Sequence, residues 1–136
     1  MSKILIIDDD PDFQYTVRLV LEDAGFEVEA ASTPEQGLSK VRSTEPDLVI
    51  LDVLMPSEYE GFAVASAIRE ELQITDLPII MLTAVHDIKS LSHRFAPDDT
   101  YLPVDVFLDK PIELDSLVQI VNEVLGQRRE EPKHPL

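Results

Sequence analysis

Ile4-Leu5-Ile6-Ile7-Asp8-Asp9-Asp10-Pro11 is a short apolar, β-branched-rich run that stops on three acids and a proline. An unbroken run of this kind fits a strand covered on both faces, as in a parallel sheet, and not the alternation of a half-solvated strand. Outward from it, similar runs recur at Leu48-Val49-Ile50-Leu51, Ile79-Ile80-Met81-Leu82 and Val104 to Leu108. Glu27 to Ala31 alternates more and suits an edge strand.

The segments between these runs carry helical period. Phe13, Val17, Val20, Leu21 and Ala24 mark an apolar stripe, with Asp10 as N-cap, Pro11 at the first helical position and Gly25 at the exit. Thr33-Pro34-Glu35-Gln36 satisfies a capping box for a second helix. A third is expected after Gly61, with Phe62, Ala65, Ile68 and Leu72 on its buried side. The last spans about Glu113 to Leu125 and ends before Gly126. Strands alternating with helices predict right-handed βαβ units and an α/β fold, a doubly wound five-stranded parallel sheet in the order 2-1-3-4-5. Asp87 to Phe95 could form a short helix, but Pro97 and Pro103 interrupt the stretch after it, so the fourth helix region is expected to be atypical.

The chain has 136 residues, enough for one domain with a proper core. Residues 1–126 read as that domain and 127–136 as a charged tail. The 11 Lys and Arg against 27 Asp and Glu give a net charge of −16, a field that repels a phosphate backbone and argues against direct nucleic-acid binding. Most of these carboxylates are expected to serve solubility. No apolar stretch approaches the ~20 residues that cross a bilayer, and no membrane insertion is expected. No secretory signal is apparent and there are no cysteines, which favours the cytoplasm. His86, His93 and His134 are scattered and read as surface or packing residues.

In a doubly wound sheet, ligands bind beyond the carboxyl ends of the strands where the winding reverses, here between the first and third strands. The strands end in Asp8-Asp9-Asp10, Asp52, Thr83 and Lys110-Pro111. Taken singly, most have ordinary explanations as caps or solvated turns, and Asp10, directly before Pro11, keeps its capping role. Jointly, Asp8, Asp9 and Asp52 would bring three carboxylates together, where each like-charge pair at ~4 Å costs on the order of 4 kcal/mol at an effective dielectric near 20. A hard divalent cation such as Mg²⁺ relieves this, and Lys110 adds a further positive charge. One carboxylate to take a phosphoryl group, a cation to gather its oxygens, and a Lys and a Thr hydroxyl to hold them are complete for phosphoryl transfer, with Asp52 as nucleophile.

With those residues in view, the chain resembles the receiver domain of two-component response regulators over roughly Lys3 to Leu125. The resemblance is carried by Ile4 to Asp10, Pro46 to Pro56, Met81-Leu82-Thr83-Ala84 and Leu108-Asp109-Lys110-Pro111. Any one fragment is weak; the four in this order are specific. The resemblance implies a flavodoxin-like, chemotaxis-receiver-like fold with Asp52 as phosphoacceptor. It further implies Mg²⁺ ligated by Asp9, Asp52 and the backbone carbonyl of Leu54, with Asp8 reaching the ion mainly through water. Thr83 and Phe107 fall at the family's switch positions, and Lys110 pairs with the phosphoryl group. Phe107 has an equally good reading as a core residue of the fifth strand, having no hydroxyl to register a second position. The implied partners are a histidine kinase or histidine phosphotransfer protein and an unidentified downstream protein. Signalling would run through a stand-alone domain that assists its own phosphotransfer and is not a turnover enzyme, since no effector domain is expected after Leu125.

The chain departs from the family pattern in two places. Gly61 lies five residues after Pro56 instead of four, so Ser57-Glu58-Tyr59-Glu60 lengthens that loop and adds two acids. Lys110 lies 27 positions after Thr83, more than is usual, and the usual Ala-Gly-Ala turn is missing. Leu54 and Val85, two residues after Asp52 and Thr83, are aliphatic and are expected to slow hydrolysis of an acyl phosphate. Among alternatives, haloacid-dehalogenase-type phosphatases need a second Asp where this chain has Leu54. A flavodoxin-type phosphate loop is rich in Gly, Ser and Thr, the electrostatic opposite of Asp8-Asp9-Asp10-Pro11. The remaining alternative is a receiver-fold interaction module regulated without phosphorylation.

Overall fold

The computed structural model describes residues 2–52, 60–74, 76–83, 106–109 and 113–130. Strands β1 (Lys3–Ile7), β2 (Glu27–Ala31), β3 (Leu48–Asp52), β4 (Ile79–Thr83) and β5 (Val106–Asp109) pair in parallel in the order β2-β1-β3-β4-β5. The described helices are α1 (Pro11–Asp23), α2 (Pro34–Thr44), α3 (Glu60–Glu70) and α4 (Leu114–Glu130). The expected short helix from Asp87 to Phe95, and the start of the fifth strand at Val104, lie outside the described residues.

Alternate strand residues divide between two cores, which is why the strands read as unbroken apolar runs. Leu5, Ile7, Val49, Leu51, Ile79 and Met81 meet Val41 of α2 and Val64, Ala65 and Ile68 of α3 on one face. Ile4, Ile6, Leu48, Ile50, Ile80 and Leu82 meet Val17 and Leu21 of α1 and Leu117, Val121 and Leu125 of α4 on the other. Burying each such side chain is worth about 1.5–3 kcal/mol, so the central strands are anchored on both sides and their carboxyl ends are held in fixed relation.

The helix starts obey their caps. Asp10 accepts from the Asp12 and Phe13 N–H groups at 3.0 and 3.3 Å, with Pro11 opening α1. Thr33 Oγ1 accepts from Gln36 N–H at 3.1 Å, but Gln36 Oε1 accepts from Ser32 N–H at 3.0 Å instead of from the cap residue. The box is therefore offset by one residue on its return side, and it ties down the end of β2. Gly25 takes φ +101° after the C-cap Ala24 of α1, a conformation that favours glycine.

Three helix boundaries differ from expectation. α3 begins at Glu60, so Gly61 stands in its first turn, where the N–H groups have no intrahelical partner to lose; Leu72 falls beyond its end and packs on the core from the turn. α4 runs through Gly126 to Glu130. A helical glycine costs only about 1 kcal/mol, and Gln127, Arg128, Arg129 and Glu130 are good helix formers.

At the opposite, amino-terminal edge of the sheet, Lys3 joins three strands. Its N–H donates to Asp47 Oδ2 at 2.8 Å, its carbonyl accepts from Asp47 N–H at 2.8 Å, and its Nζ donates to Thr44 O at 3.0 Å and lies 3.8 Å from Glu27 Oε2. Arg69, 8% exposed, donates to the carbonyls of Ile74 and Leu77 at 3.2 and 2.7 Å and so secures the turn into β4. These clamps set the register that carries through to the carboxyl ends.

Candidate functional site

Register aligns the strand ends. Ile7 pairs with Leu51, Leu51 with Met81 and Met81 with Phe107. One residue further along, Asp8 comes next on β1, Asp52 pairs with Leu82, and Leu82 with Leu108. Thr83, paired with Asp109, closes β4 one step beyond. With adjacent strands ~4.8 Å apart, the backbones of Asp8 and Asp52 therefore stand side by side at the crevice between β1 and β3, with Thr83 one residue further along on the adjoining β4.

The first acidic residues divide their work. Asp8 is 2% exposed, and its Oδ1 accepts from Asp10 N–H at 2.9 Å. Its own N–H donates to Ala31 O at 3.0 Å, extending the contact between β1 and β2 past the paired register. Asp10 is committed to capping α1. Asp9 is exposed, and among the described residues its carboxylate has no hydrogen-bond or ion-pair partner. A buried carboxylate is expensive without compensating donors or a cation, so Asp8 and Asp9 together offer one inner and one outward carboxylate beside the end of β3.

Gln14, one turn into α1, reaches back over this loop. Its Nε2 donates to the carbonyl of Asp8, to Ala31 O at 3.0 Å and to Ser32 Oγ at 3.3 Å. Periodicity in the sequence places Gln14 merely on the flank of α1; its contacts with residues 6 to 18 positions away leave no local signature.

The side chains of Asp52, Thr83 and Phe107, and the whole of Leu54, Val85, Lys110 and Pro111, lie outside the described residues. Among the described residues no group of three His, Asp or Glu side chains forms a metal cage. The donor set at the edge nonetheless fits a hard dication: Asp8 and Asp9 supply carboxylate oxygens next to the end of β3, and no lysine or arginine among the described residues competes for Asp9. The arrangement suits binding of an anion-carrying group through a cation more than direct anion binding. No described helix is long and apolar enough to cross a membrane.

Comparison with known proteins agrees with this geometry. Residues 4–122 match the family model for the response regulator receiver domain. The chain is 33% identical over 125 residues to the DNA-binding dual master transcriptional regulator RpaA of Synechocystis, covering 92% of this chain and 49% of that protein. It is 28% identical over 128 residues to Protein PilH of Pseudomonas aeruginosa, covering 93% and 99% respectively. The crystal structure of the response regulator TrrA of Thermotoga maritima, in complex with Mg²⁺-BeF, superposes with a TM-score of 0.74 at 33% identity, covering 91% of this chain and 99% of that one. The chain spans about half the length of several curated relatives it matches.

Proposed function

The chain belongs to the response regulator receiver domain family, and on that footing we propose that it accepts a phosphoryl group on Asp52 and signals through a protein contact that depends on it. The observation that carries this reading is the alignment of Asp8 and Asp9 after β1 with Asp52 at the end of β3, one step beyond the Ile7 and Leu51 pair.

The donor is a phosphohistidine on a histidine kinase or a histidine phosphotransfer protein. An Asp52 carboxylate oxygen attacks phosphorus, the P–N bond to the donor imidazole breaks with its electron pair, and the imidazole takes a proton from solvent. Asp9, Asp52 and the Leu54 carbonyl, with Asp8 mainly through water, would hold Mg²⁺, which when bound would neutralise charge on the phosphoryl oxygens. TrrA with its Mg²⁺-BeF complex supports that choice of ion. Lys110 offers an ammonium to the acyl phosphate, and the Thr83 hydroxyl donates to one of its oxygens. Asp8 is held from the side by Asp10 N–H, so it stays oriented when the charge at the edge changes. Hydrolysis returns the carboxylate: water attacks phosphorus, the Asp52 O–P bond breaks, and inorganic phosphate leaves.

The protein is thus a reactant in its own phosphotransfer and not a turnover enzyme. Drawing Thr83 toward the phosphoryl group biases β4 and β5, with Phe107 beside Met81 in the register, between two arrangements that a downstream protein distinguishes. The reading includes a cytoplasmic location and no direct contact with nucleic acid. Hydroxylamine tests the chemistry. Label introduced from a small phosphodonor in Mg²⁺ is released at neutral pH if it sits on a carboxylate; label that survives contradicts an acyl phosphate.

A further inference from the structure

The geometry points to Gln14 as a positioning residue for the metal-facing carboxylate of Asp9, acting through the peptide between Asp8 and Asp9. The inference rests on the metal role proposed for Asp9. Asp9 has no side-chain partner of its own among the described residues, so the direction of its carboxylate is set by its backbone. Three hydrogen bonds among the described residues help to hold that backbone. Asp8 N–H is fixed to Ala31 O at 3.0 Å, Asp10 N–H to Asp8 Oδ1 at 2.9 Å, and the Asp8 carbonyl to Gln14 Nε2. The first two lie before and after the Asp8–Asp9 peptide plane. Of these three, the Gln14 contact acts on the plane itself, because the carbonyl it holds belongs to the same planar unit as the Asp9 N–H.

Gln14 is well placed to hold that plane against a fixed reference. The same Nε2 donates to Ala31 O at 3.0 Å and to Ser32 Oγ at 3.3 Å. Ser32 N–H is in turn bound by Gln36 Oε1 at 3.0 Å from α2. The acidic loop is thereby tied to the end of β2 and to the first turn of α2. With an apolar side chain at position 14, water takes over the Asp8 carbonyl, the peptide regains rotational freedom, and the Asp9 carboxylate spends less time in one direction. Groups that orient a metal ligand are worth on the order of tenfold in metal affinity when removed.

The test compares wild type with Gln14→Met, which keeps the side-chain length and loses the donor, and with Thr16→Ala as a control on the exposed side of the same helix. Titration calorimetry with Mg²⁺ alone is expected to give a dissociation constant raised on the order of tenfold in Gln14→Met and unchanged in Thr16→Ala, with similar thermal midpoints. Amide exchange in the metal-free proteins is expected to accelerate at Asp10, whose N–H is bonded to Asp8 Oδ1 across the Asp8–Asp9 peptide, in Gln14→Met and not along α1. Gln14→Arg, which keeps N–H donors at this reach, is expected to restore wild-type exchange at Asp10. If Gln14→Met does not fold, Gln14→Ala carries the same comparisons. Wild-type Mg²⁺ affinity together with wild-type Asp10 exchange in the donorless variant overturns the inference. Should the wild type itself not bind Mg²⁺, the functional reading fails, and exchange at Asp10 alone then decides whether Gln14 holds the peptide.

Discussion

A Cβ built on Gly37 of α2 would lie 2.6 Å from Cδ1 of Ile7 in β1, with Ile7 Cγ1 and Cγ2 at 3.0 and 3.1 Å. Ile7 is fully buried and is succeeded directly by Asp8. Helix and strand thus meet at a contact in which the isoleucine occupies the space that a side chain at position 37 would need.

Gly37→Ala accordingly sets two effects against each other. Helix propensity favours alanine by about 1 kcal/mol, while overpacking costs about 1–3 kcal/mol, and the 2.6 Å contact puts the balance on the destabilising side. Ile7→Val removes Cδ1, so Gly37→Ala should be less damaging, or stabilising, in that background. Urea denaturation of the four proteins should give a coupling of about 1 kcal/mol or more; additive effects would contradict the contact.

β2 is an edge strand, and its outward carbonyls are occupied by side chains. Arg18 Nη2 donates to Val28 O at 2.9 Å, and Lys40 Nζ donates to Ala30 O at 2.7 Å. Edge carbonyls left open invite pairing with another strand. Arg18→Ala with Lys40→Ala should therefore increase self-association in sedimentation velocity. The change takes the net charge from −16 to −18, which by itself opposes association, so a rise identifies the exposed edge as the cause. An unchanged concentration dependence would contradict this role for the two cations.

Asp10 stands beside two proposed site residues but is bound to the first turn of α1. Asp10→Ala should cost about 1 kcal/mol of stability, as loss of an N-cap does, and leave phosphoryl uptake intact, since the Asp10 N–H that holds Asp8 belongs to the backbone. Denaturation and phosphorylation measured on the same variant separate the two roles. Loss of uptake in a folded variant would place Asp10 in the chemistry.

The parts legible in the sequence were those with local or periodic signatures. Unbroken runs such as Ile4 to Ile7 marked strands covered on both faces, and Asp10-Pro11 and Thr33-Pro34 marked helix starts within one residue. The acids after β1 and at the end of β3 stand out because parallel strands bring their carboxyl ends to one edge. Contacts that depend on tertiary placement were not legible. Gln36 returning to Ser32, Gln14 spanning to Ala31, and the left-handed Glu45 at φ 51° closing α2 have no pattern in the chain. Gly126 misled because a helical glycine and a terminating glycine look alike in sequence, and only the neighbouring packing and propensities decide between them.

The central claim is that Asp52 takes the phosphoryl group. Its most direct test is intact-mass measurement of wild type and Asp52→Asn after incubation with a small-molecule phosphodonor and Mg²⁺. Wild type alone should gain the mass of one phosphoryl group. A folded wild type that gains none, or an Asp52→Asn variant that gains as much, would contradict it.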